Sequence, residues 1–130
     1  MRGIVLGTLV CLLLACDAMI LDRLVIVPEN ASGQEGAGDE LIAVARSALI
    51  GCGARAEHLS EGGTLSVDWR DPDSPPGLSI QVYWEAAEWR ILMSQDLYGQ
   101  TGRTEIYKCT YEAMHDALRT KFGGEQLRVE

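Results

Sequence analysis

Positive charge and histidine are scarce in this chain. Its 11 Lys and Arg residues stand against 19 Asp and Glu residues, so the net charge is −8, and the two histidines are His58 and His115. Because a phosphate backbone repels so acidic a chain, nucleic acid is not an expected partner. The sequence also has no G-x-S-x-G, no H-E-x-x-H and no Walker-type glycine loop, which removes the familiar motifs of serine hydrolases, zinc proteases and P-loop enzymes.

Two groups of polar residues remain as candidates for chemistry. Glu112 and His115 have the Glu-x-x-His spacing of di-iron bundles, but such sites need a second copy and two further carboxylates. Asp68, Asp71 and Asp73 share a turn, but they lack the spacing and the closing glutamate of a calcium loop. We interpret the first group as a solvated helix face and the second as turn residues. We therefore expect no catalytic residue, no metal site and no cofactor, and we expect that the protein is not an enzyme.

Long apolar runs are also few, and one stands near the start of the chain. It extends over Ile4–Leu14 and follows Arg2. A membrane-spanning helix needs about 20 apolar residues, so the run fits the apolar region of a secretory signal peptide better. The alternative is an uncleaved anchor that reaches Val27. The charges of Asp22 and Arg23 oppose it, because each costs about 2.5–3.5 kcal/mol near the bilayer centre.

The apolar run ends in Leu13-Leu14-Ala15-Cys16. This segment resembles the lipobox of bacterial lipoproteins, and the resemblance covers residues 1–16. It implies cleavage before Cys16, a diacylglycerol in thioether linkage on Cys16, and anchorage to a membrane of the bacterial cell envelope, on the periplasm-facing side. Asp17 resembles the signal that retains lipoproteins in the inner membrane of enteric-type bacteria, although it could equally be a solvated charge. The alternative for Cys16 is an ordinary apolar residue in a signal peptide that is cleaved elsewhere.

The signal-peptide interpretation also sorts the four cysteines. Cys11 leaves with the signal peptide and Cys16 takes the lipid, so that Cys52 and Cys109 remain. Two cysteines in an exported domain predict one disulfide bond. The alternative is a pair of buried free thiols that pack as small apolar side chains.

The sequence divides into three parts. We assign residues 1–15 to the signal peptide, residues 16–38 to the lipidated N-terminus and a flexible tether, and residues 39–130 to one small α+β domain. Pro28–Gly38 is polar and rich in glycine, which is typical of a tether. Within the second part, Arg23–Val27 predicts a short strand.

Hydrophobic periodicity predicts the elements of the domain. Apolar residues recur at helical spacing in two segments, and alternation with period two marks three strands between them. The predicted helices are Asp39–Gly51 and Thr104–Phe122; the predicted strands are Leu65–Arg70, Leu78–Trp84 and Trp89–Met93, with a short terminal strand at Leu127–Val129. The order α-β-β-β-α predicts two helices packed on a three- to four-stranded antiparallel sheet, a two-layer sandwich.

Export signals on a domain without catalytic motifs favour a binding function. We expect a lipid-anchored envelope protein whose domain binds another protein, as an accessory subunit or as an inhibitor or immunity-type protein. Its acidic surface suits a basic partner. The alternative is a small-ligand-binding lipoprotein with a pocket between sheet and helices, lined by tryptophans and tyrosines. We expect Trp69, Trp84 and Trp89 in the core instead, because all three fall on the apolar side of their strands.

Overall fold

The computed structural model describes residues 19–28, 37–73, 76–96 and 102–130. Cys16, Asp17 and the glycine-rich residues 29–36 lie outside these ranges. Cleavage, lipidation and membrane sorting therefore stay predictions. Cys52 and Cys109 lie within the described ranges.

The described chain forms an antiparallel sheet with two helices packed on it. The elements are β1 (Met19–Ile26), α1 (Ala37–Gly51), a 3-10 turn (Ala56–His58), β2 (Leu59–Glu61), β3 (Ser66–Trp69), β4 (Leu78–Glu85), β5 (Glu88–Asp96), α2 (Glu105–Phe122) and β6 (Leu127–Val129). The strands are ordered β2-β3-β4-β5-β1-β6, and every neighbouring pair is antiparallel. The predicted α+β class is confirmed, but the sheet has six strands and not three or four.

The two strands at the sheet edges have three residues each. β6 lies at Leu127–Val129, as predicted, whereas β2 was not predicted, because three residues are too few for a period-two pattern to be recognised. β2 directly follows the 3-10 turn, and its backbone pairs with β3 from Leu59↔Trp69 to Glu61↔Val67. Tertiary pairing thus decides the structure of this segment.

β1 is longer than the predicted strand and lies inside the sheet. It pairs with β5 over its whole length, from Met19↔Asp96 to Ile26↔Trp89, and with β6 on its other side. Residues 19–26 of the expected tether are therefore part of the folded domain, which begins before residue 39. Met19, Ile20 and Leu21 are apolar on both faces of the strand, so no alternation marks its start.

The core lies between the sheet and the helices. Both helices bury residues at the spacing of one helix face: Leu41, Ile42, Ala45, Ala48 and Leu49 from α1, and Tyr107, Thr110, Met114 and Leu118 from α2. They meet the inward-facing residues of the central strands, which include Val67, Ile80, Val82, Ile91 and Met93. Full burial of such a side chain contributes about 1.5–3 kcal/mol, so this single core holds the two layers together.

A disulfide bond joins the two helices, as predicted. Cys52 follows the end of α1 and Cys109 lies on α2, with 5.8 Å between their Cα atoms and 2.04 Å between their sulfurs. The amide of Cys52 donates to the carbonyl of Ala48 at 3.0 Å, which fixes the backbone beside the bridge. Cys109 is exposed rather than on the buried face of α2. The disulfide bond therefore connects the helices at the surface and is not part of the core.

Candidate functional site

The turn between β4 and β5 has an unusual backbone. Glu85 and Glu88 are register partners, so that Ala86 and Ala87 alone form the loop. Both alanines have positive φ, 53° and 61°, as in a type I′ turn, where asparagine and glycine are the usual residues. This conformation costs a residue with a side chain about 1–2 kcal/mol, and such residues concentrate at functional sites.

The outer edge of β4 is unpaired near this turn. β3 pairs with the first half of β4, from Trp69↔Leu78 to Ser66↔Gln81. The amide of Val82 still donates to the carbonyl of Leu65 at 2.8 Å, but no strand in the described ranges pairs with the rest of this edge. Backbone groups of successive strand residues point to opposite sides. The N–H and C=O of Trp84 therefore point to the same side as the amide of Val82, where no described strand pairs with Trp84.

Two aromatic side chains are exposed at this edge. Tyr83 is 37% exposed on the sheet face away from the helices, and Trp84 is 40% exposed on the face toward them. Trp84 meets Trp89 edge to face, with 5.3 Å between ring centroids. Trp69 and Trp89 are buried in the core as predicted, whereas the expected core position of Trp84 is wrong.

The position of α1 explains why these neighbouring tryptophans differ. A Cβ atom added at Gly38, in the first turn of α1, would lie 2.8 Å from the ring of Trp89, so the helix backbone covers that ring closely. Trp84 lies one strand farther toward the edge, where β3 no longer pairs with β4. The ring of Trp84 is therefore covered on one side by Trp89 and open on the other.

The charges at the turn are unequally compensated. Glu88 accepts from Arg90 at 3.3 Å and from both terminal nitrogens of Arg128 at 3.1 and 3.3 Å. The hydrogen bonds that Arg128 donates to Glu88 raise the pKa of Arg128. Glu85, directly across the hairpin, is exposed and has no ion pair among the described residues. Residues 83–87 thus form what we term the hairpin-tip surface: two aromatic rings, an unpaired backbone edge and one uncompensated carboxylate.

A cavity of about 570 Å³ lies between α1 and the β2–β3 loop. The ion pair between Arg46 and Glu61 is part of its wall. Its lining includes Ile42 and Leu65 but no tryptophan or tyrosine. This differs from the aromatic pocket that we considered for a small ligand, because Trp69, Trp89 and Tyr107 are buried in the core.

A polar network fixes the start of α2 at the other end of the sheet. Tyr107 is fully buried, and its hydroxyl donates to Oδ2 of Asp22 at 2.7 Å. Arg103 donates to both oxygens of Asp22 at 3.2 Å. Burial, together with the nearby carboxylate, raises the pKa of Tyr107 far above its usual value. The phenol therefore stays protonated near neutral pH and serves as a hydrogen-bond donor, not as a base.

Gln95 extends this network along β5. It is 1% exposed, and its Oε1 accepts from the amide and the hydroxyl of Thr104, both at 3.0 Å. Thr104 in turn caps α2 by accepting from the amide of Tyr107 at 3.3 Å. Sequence reasoning missed Asp22 and Gln95. The signal was present for Gln95, since it continues the inward alternation of Trp89, Ile91 and Met93 with a polar residue.

The remaining polar candidates lie at the surface or in turns, except that Asp68 belongs to β3 and not to the turn. Glu112 is exposed, and His115 stacks on Tyr111 with 6.2 Å between ring centroids. Asp71 accepts from the amide of Asp73 at 3.0 Å, which is turn geometry. Within the described ranges, no three His, Cys, Asp or Glu residues are grouped so that they could hold a metal ion.

Comparison of the chain with family models, with curated protein sequences and with solved structures finds no match. Within the described residues, no helix is both long and apolar enough to cross a membrane. Function must therefore be inferred from the surfaces of the domain, and among these the hairpin-tip surface combines exposed aromatics, an open strand edge and backbone strain.

Proposed function

We propose that this protein is a lipid-anchored protein of the bacterial cell envelope, whose non-catalytic α+β domain binds another protein through the hairpin-tip surface. The anchor is the lipid predicted on Cys16, and Asp17 favours retention in the inner membrane. The disulfide bond between Cys52 and Cys109 is compatible with an oxidising compartment. The partner is a subunit of an envelope complex, or a toxin or hydrolase that the domain inhibits.

The observation that carries this proposal is the exposed Trp84 on an unpaired strand edge. Natural sheets protect their edges with short strands, lysine, proline or bulges. β2 and β6 follow this rule because they have three residues each. The open part of β4, by contrast, carries Tyr83 and Trp84 and has none of these protections. Extended segments of partner proteins add to such edges by backbone hydrogen bonds, while side-chain contacts supply specificity.

The burial of Trp84 sets the scale of the interaction. A partner strand beside β4 would cover the exposed 40% of this side chain, about 100 Å² if a buried tryptophan contributes up to roughly 250 Å². At about 25 cal/mol per Å² this is ~2.5 kcal/mol, or about 70-fold in affinity. Trp and Tyr are the residues most often found at the energetic centre of interfaces. The free carboxylate of Glu85 favours a basic side chain on the partner.

A photocrosslinking experiment identifies the partner. We replace Tyr83 with a photoreactive phenylalanine derivative in the full chain and irradiate intact cells. The matched control carries the same group at Ile50, which is 46% exposed on α1. We expect one protein adduct from position 83 and none from position 50. Recovery of lipid alone from position 83 would contradict a protein partner.

Affinity for the identified partner then tests the site itself. We expect Trp84→Ala to weaken binding about 70-fold, in line with the area estimate above. The control Ile50→Ala removes a similarly exposed side chain and is expected to leave binding unchanged. Urea denaturation establishes that both variants stay folded. If a folded Trp84→Ala variant bound the partner with unchanged affinity, the hairpin-tip surface would not be the binding site.

Mass spectrometry of the mature protein tests the anchor independently. We expect a mass that corresponds to cleavage before Cys16 plus a diacylglyceryl group, and we expect Cys16→Ser to abolish lipidation and membrane fractionation. An unmodified Cys16 would contradict the anchor. A small molecule that copurifies in the cavity between α1 and the β2–β3 loop would favour the alternative of a ligand-binding lipoprotein.

A further inference from the structure

We infer that the start of β1 contacts the bilayer surface, through residues on the sheet face opposite the helices. The strand leads away from the membrane, so that the hairpin-tip surface at its other end points into the aqueous compartment. This inference rests on the proposed lipid at Cys16. The surface in contact consists of Met19, Leu21, Arg23 and Leu92, and we term it the β1-end patch. Its ligand is the headgroup region of a phospholipid bilayer.

The β1-end patch lies on the uncovered side of the sheet. Ile20, Leu24 and Ile26 of β1 belong to the core cluster or pack against it, so the alternate residues Met19, Leu21 and Arg23 face the other way. Met19 is 49% exposed and Leu21 is 42% exposed. Leu92 pairs with Arg23 in the register and therefore shares its face. The β1-end patch is therefore apolar at the start of β1, on the sheet face that the helices do not cover.

The length of chain before β1 brings this patch to the membrane. Cys16 precedes Met19 by three residues, and three residues span about 10 Å at full extension. The headgroup region of one leaflet is itself roughly 5–8 Å thick. A diacylglycerol on Cys16 has its acyl chains below that region. Met19 is therefore held in the headgroup region or directly above it, because the linker is too short to raise the domain farther.

The order of side chains along β1 fits this depth. Met19 and Leu21 come first, and Arg23 follows about 13 Å after Met19 at 3.3 Å per residue. Arg23 then lies above the headgroup region, and its long side chain, directed back toward the bilayer, brings the guanidinium to the lipid phosphates. Arg23 has no ion pair among the described residues, so its guanidinium is available for this contact.

Two acidic groups beside the β1-end patch are compensated, although the whole chain has a net charge of −8. Asp22 accepts from Arg103 through both oxygens. Asp96, the register partner of Met19, accepts from Arg70 at 3.4 Å. These two carboxylates therefore repel anionic lipids less than unpaired carboxylates would.

The same strand places the hairpin-tip surface at the far end of the domain. Ile26, the last residue of β1, pairs with Trp89 beside the β4–β5 turn. Eight residues of strand correspond to about 23 Å between the first and last Cα atoms. Contact of the β1-end patch with lipid thus leaves Tyr83 and Trp84 exposed to a partner in the aqueous compartment.

Methionine methyl signals can test this orientation in the complete lipoprotein. After signal cleavage the chain has three methionines: Met19 at the patch, and Met93 and Met114 in the core. We place ¹³C-methyl-methionine protein in nanodiscs of phosphatidylcholine and phosphatidylglycerol that include a lipid with a paramagnetic headgroup. We expect the Met19 signal to be lost to broadening while the Met93 and Met114 signals remain. An Ile50→Met variant adds a matched exposed methyl on α1, and this signal is expected to remain as well.

Two further variants test the patch. Leu21→Glu is expected to weaken the broadening of Met19, because a carboxylate on this face opposes contact with anionic lipid. Tyr83→Ser removes an exposed side chain from the same sheet face at its other end, and we expect no change in the broadening.

Each failure has its own signature. If the protein stays in the nanodiscs but Met19 and the Ile50→Met methyl broaden equally, the orientation is wrong and the anchor stands. If two copies cover the patch and leave Met19 unaffected, a dimer replaces the lipid contact and the inference is overturned. If the protein does not enter nanodiscs and Cys16 carries no lipid, the proposed function fails and the inference fails with it.

Discussion

The β4–β5 turn offers a stability test whose sign follows from the backbone alone. Ala86 and Ala87 have φ of 53° and 61°, a conformation that costs an L-residue about 1–2 kcal/mol relative to the right-handed region. Glycine adopts it without this cost, but glycine loses about 0.5–1 kcal/mol more conformational entropy on folding. For Ala87→Gly the first effect exceeds the second, so we expect the free energy of unfolding to rise by about 0.5–1 kcal/mol.

The same substitution in a helix should have the opposite effect. Ala43 is exposed in the interior of α1, where glycine is less favourable than alanine by about 0.8–1 kcal/mol. Ala43→Gly is therefore expected to destabilise the domain by that amount. The two substitutions are expected to change the free energy of unfolding in opposite directions because the replaced alanines differ in φ.

Urea denaturation measures both variants against the parent protein, and the comparison requires an unchanged denaturant slope. For a domain of this size, 1 kcal/mol corresponds to a shift of about 4–8 °C in melting temperature. Adding Ala86→Asn to Ala87→Gly restores the residues usual for a type I′ turn and should raise the midpoint further. If Ala87→Gly destabilises as much as Ala43→Gly, the turn does not have the left-handed backbone described above.

The other predictions concern two bonds, one between the two helices and one between α2 and β1. The Cys52–Cys109 bridge closes a loop with a sequence separation of 57, so replacing both cysteines with alanine is expected to lower the free energy of unfolding by about 4 kcal/mol in the chain-entropy model; an unchanged urea midpoint would contradict this. Tyr107→Phe removes the hydrogen bond to Asp22 and should cost about 1–3 kcal/mol, because it leaves a charged acceptor without this donor. The pKa of Tyr107 is raised in the folded state, so its contribution is complete below the unfolded pKa of about 10 and is lost as pH rises through the folded pKa. Tyrosine ionisation begins at roughly pH 9. Between about pH 9 and pH 11 the free energy of unfolding of the parent protein should therefore fall more than that of Tyr107→Phe. If the two free energies fell in parallel, the role of the Tyr107 hydroxyl would be refuted.

Periodicity predicted the elements whose two faces differ. Both helices and the three central strands have one apolar and one polar face, and each lies within a few residues of its predicted bounds. β1 and β2 were harder, for different reasons. The start of β1 is apolar on both faces, and β2 is too short to show a pattern.

The candidate site was less predictable than the fold. Alternation along β4 places Trp84 on the helix-facing side and therefore predicts burial. Alternation cannot reveal that β3 stops pairing at Gln81 and leaves the Trp84 ring open. Asp22 is a similar case. In the sequence it is a charge that interrupts an apolar segment, and its role depends on Tyr107 and Arg103, which are distant in sequence. Contacts of this kind are set by the topology and not by local pattern.

The pairing of β1 with β6 has a consequence for when the protein can fold. Nearly all of the described chain lies between these two neighbouring strands, and pairing over such sequence separations slows folding. β1 also pairs with β5 on its other side, so a nascent chain cannot complete this sheet before β6 has left the ribosome. The domain is therefore incomplete during synthesis, and its six-stranded sheet forms only after β6 is made.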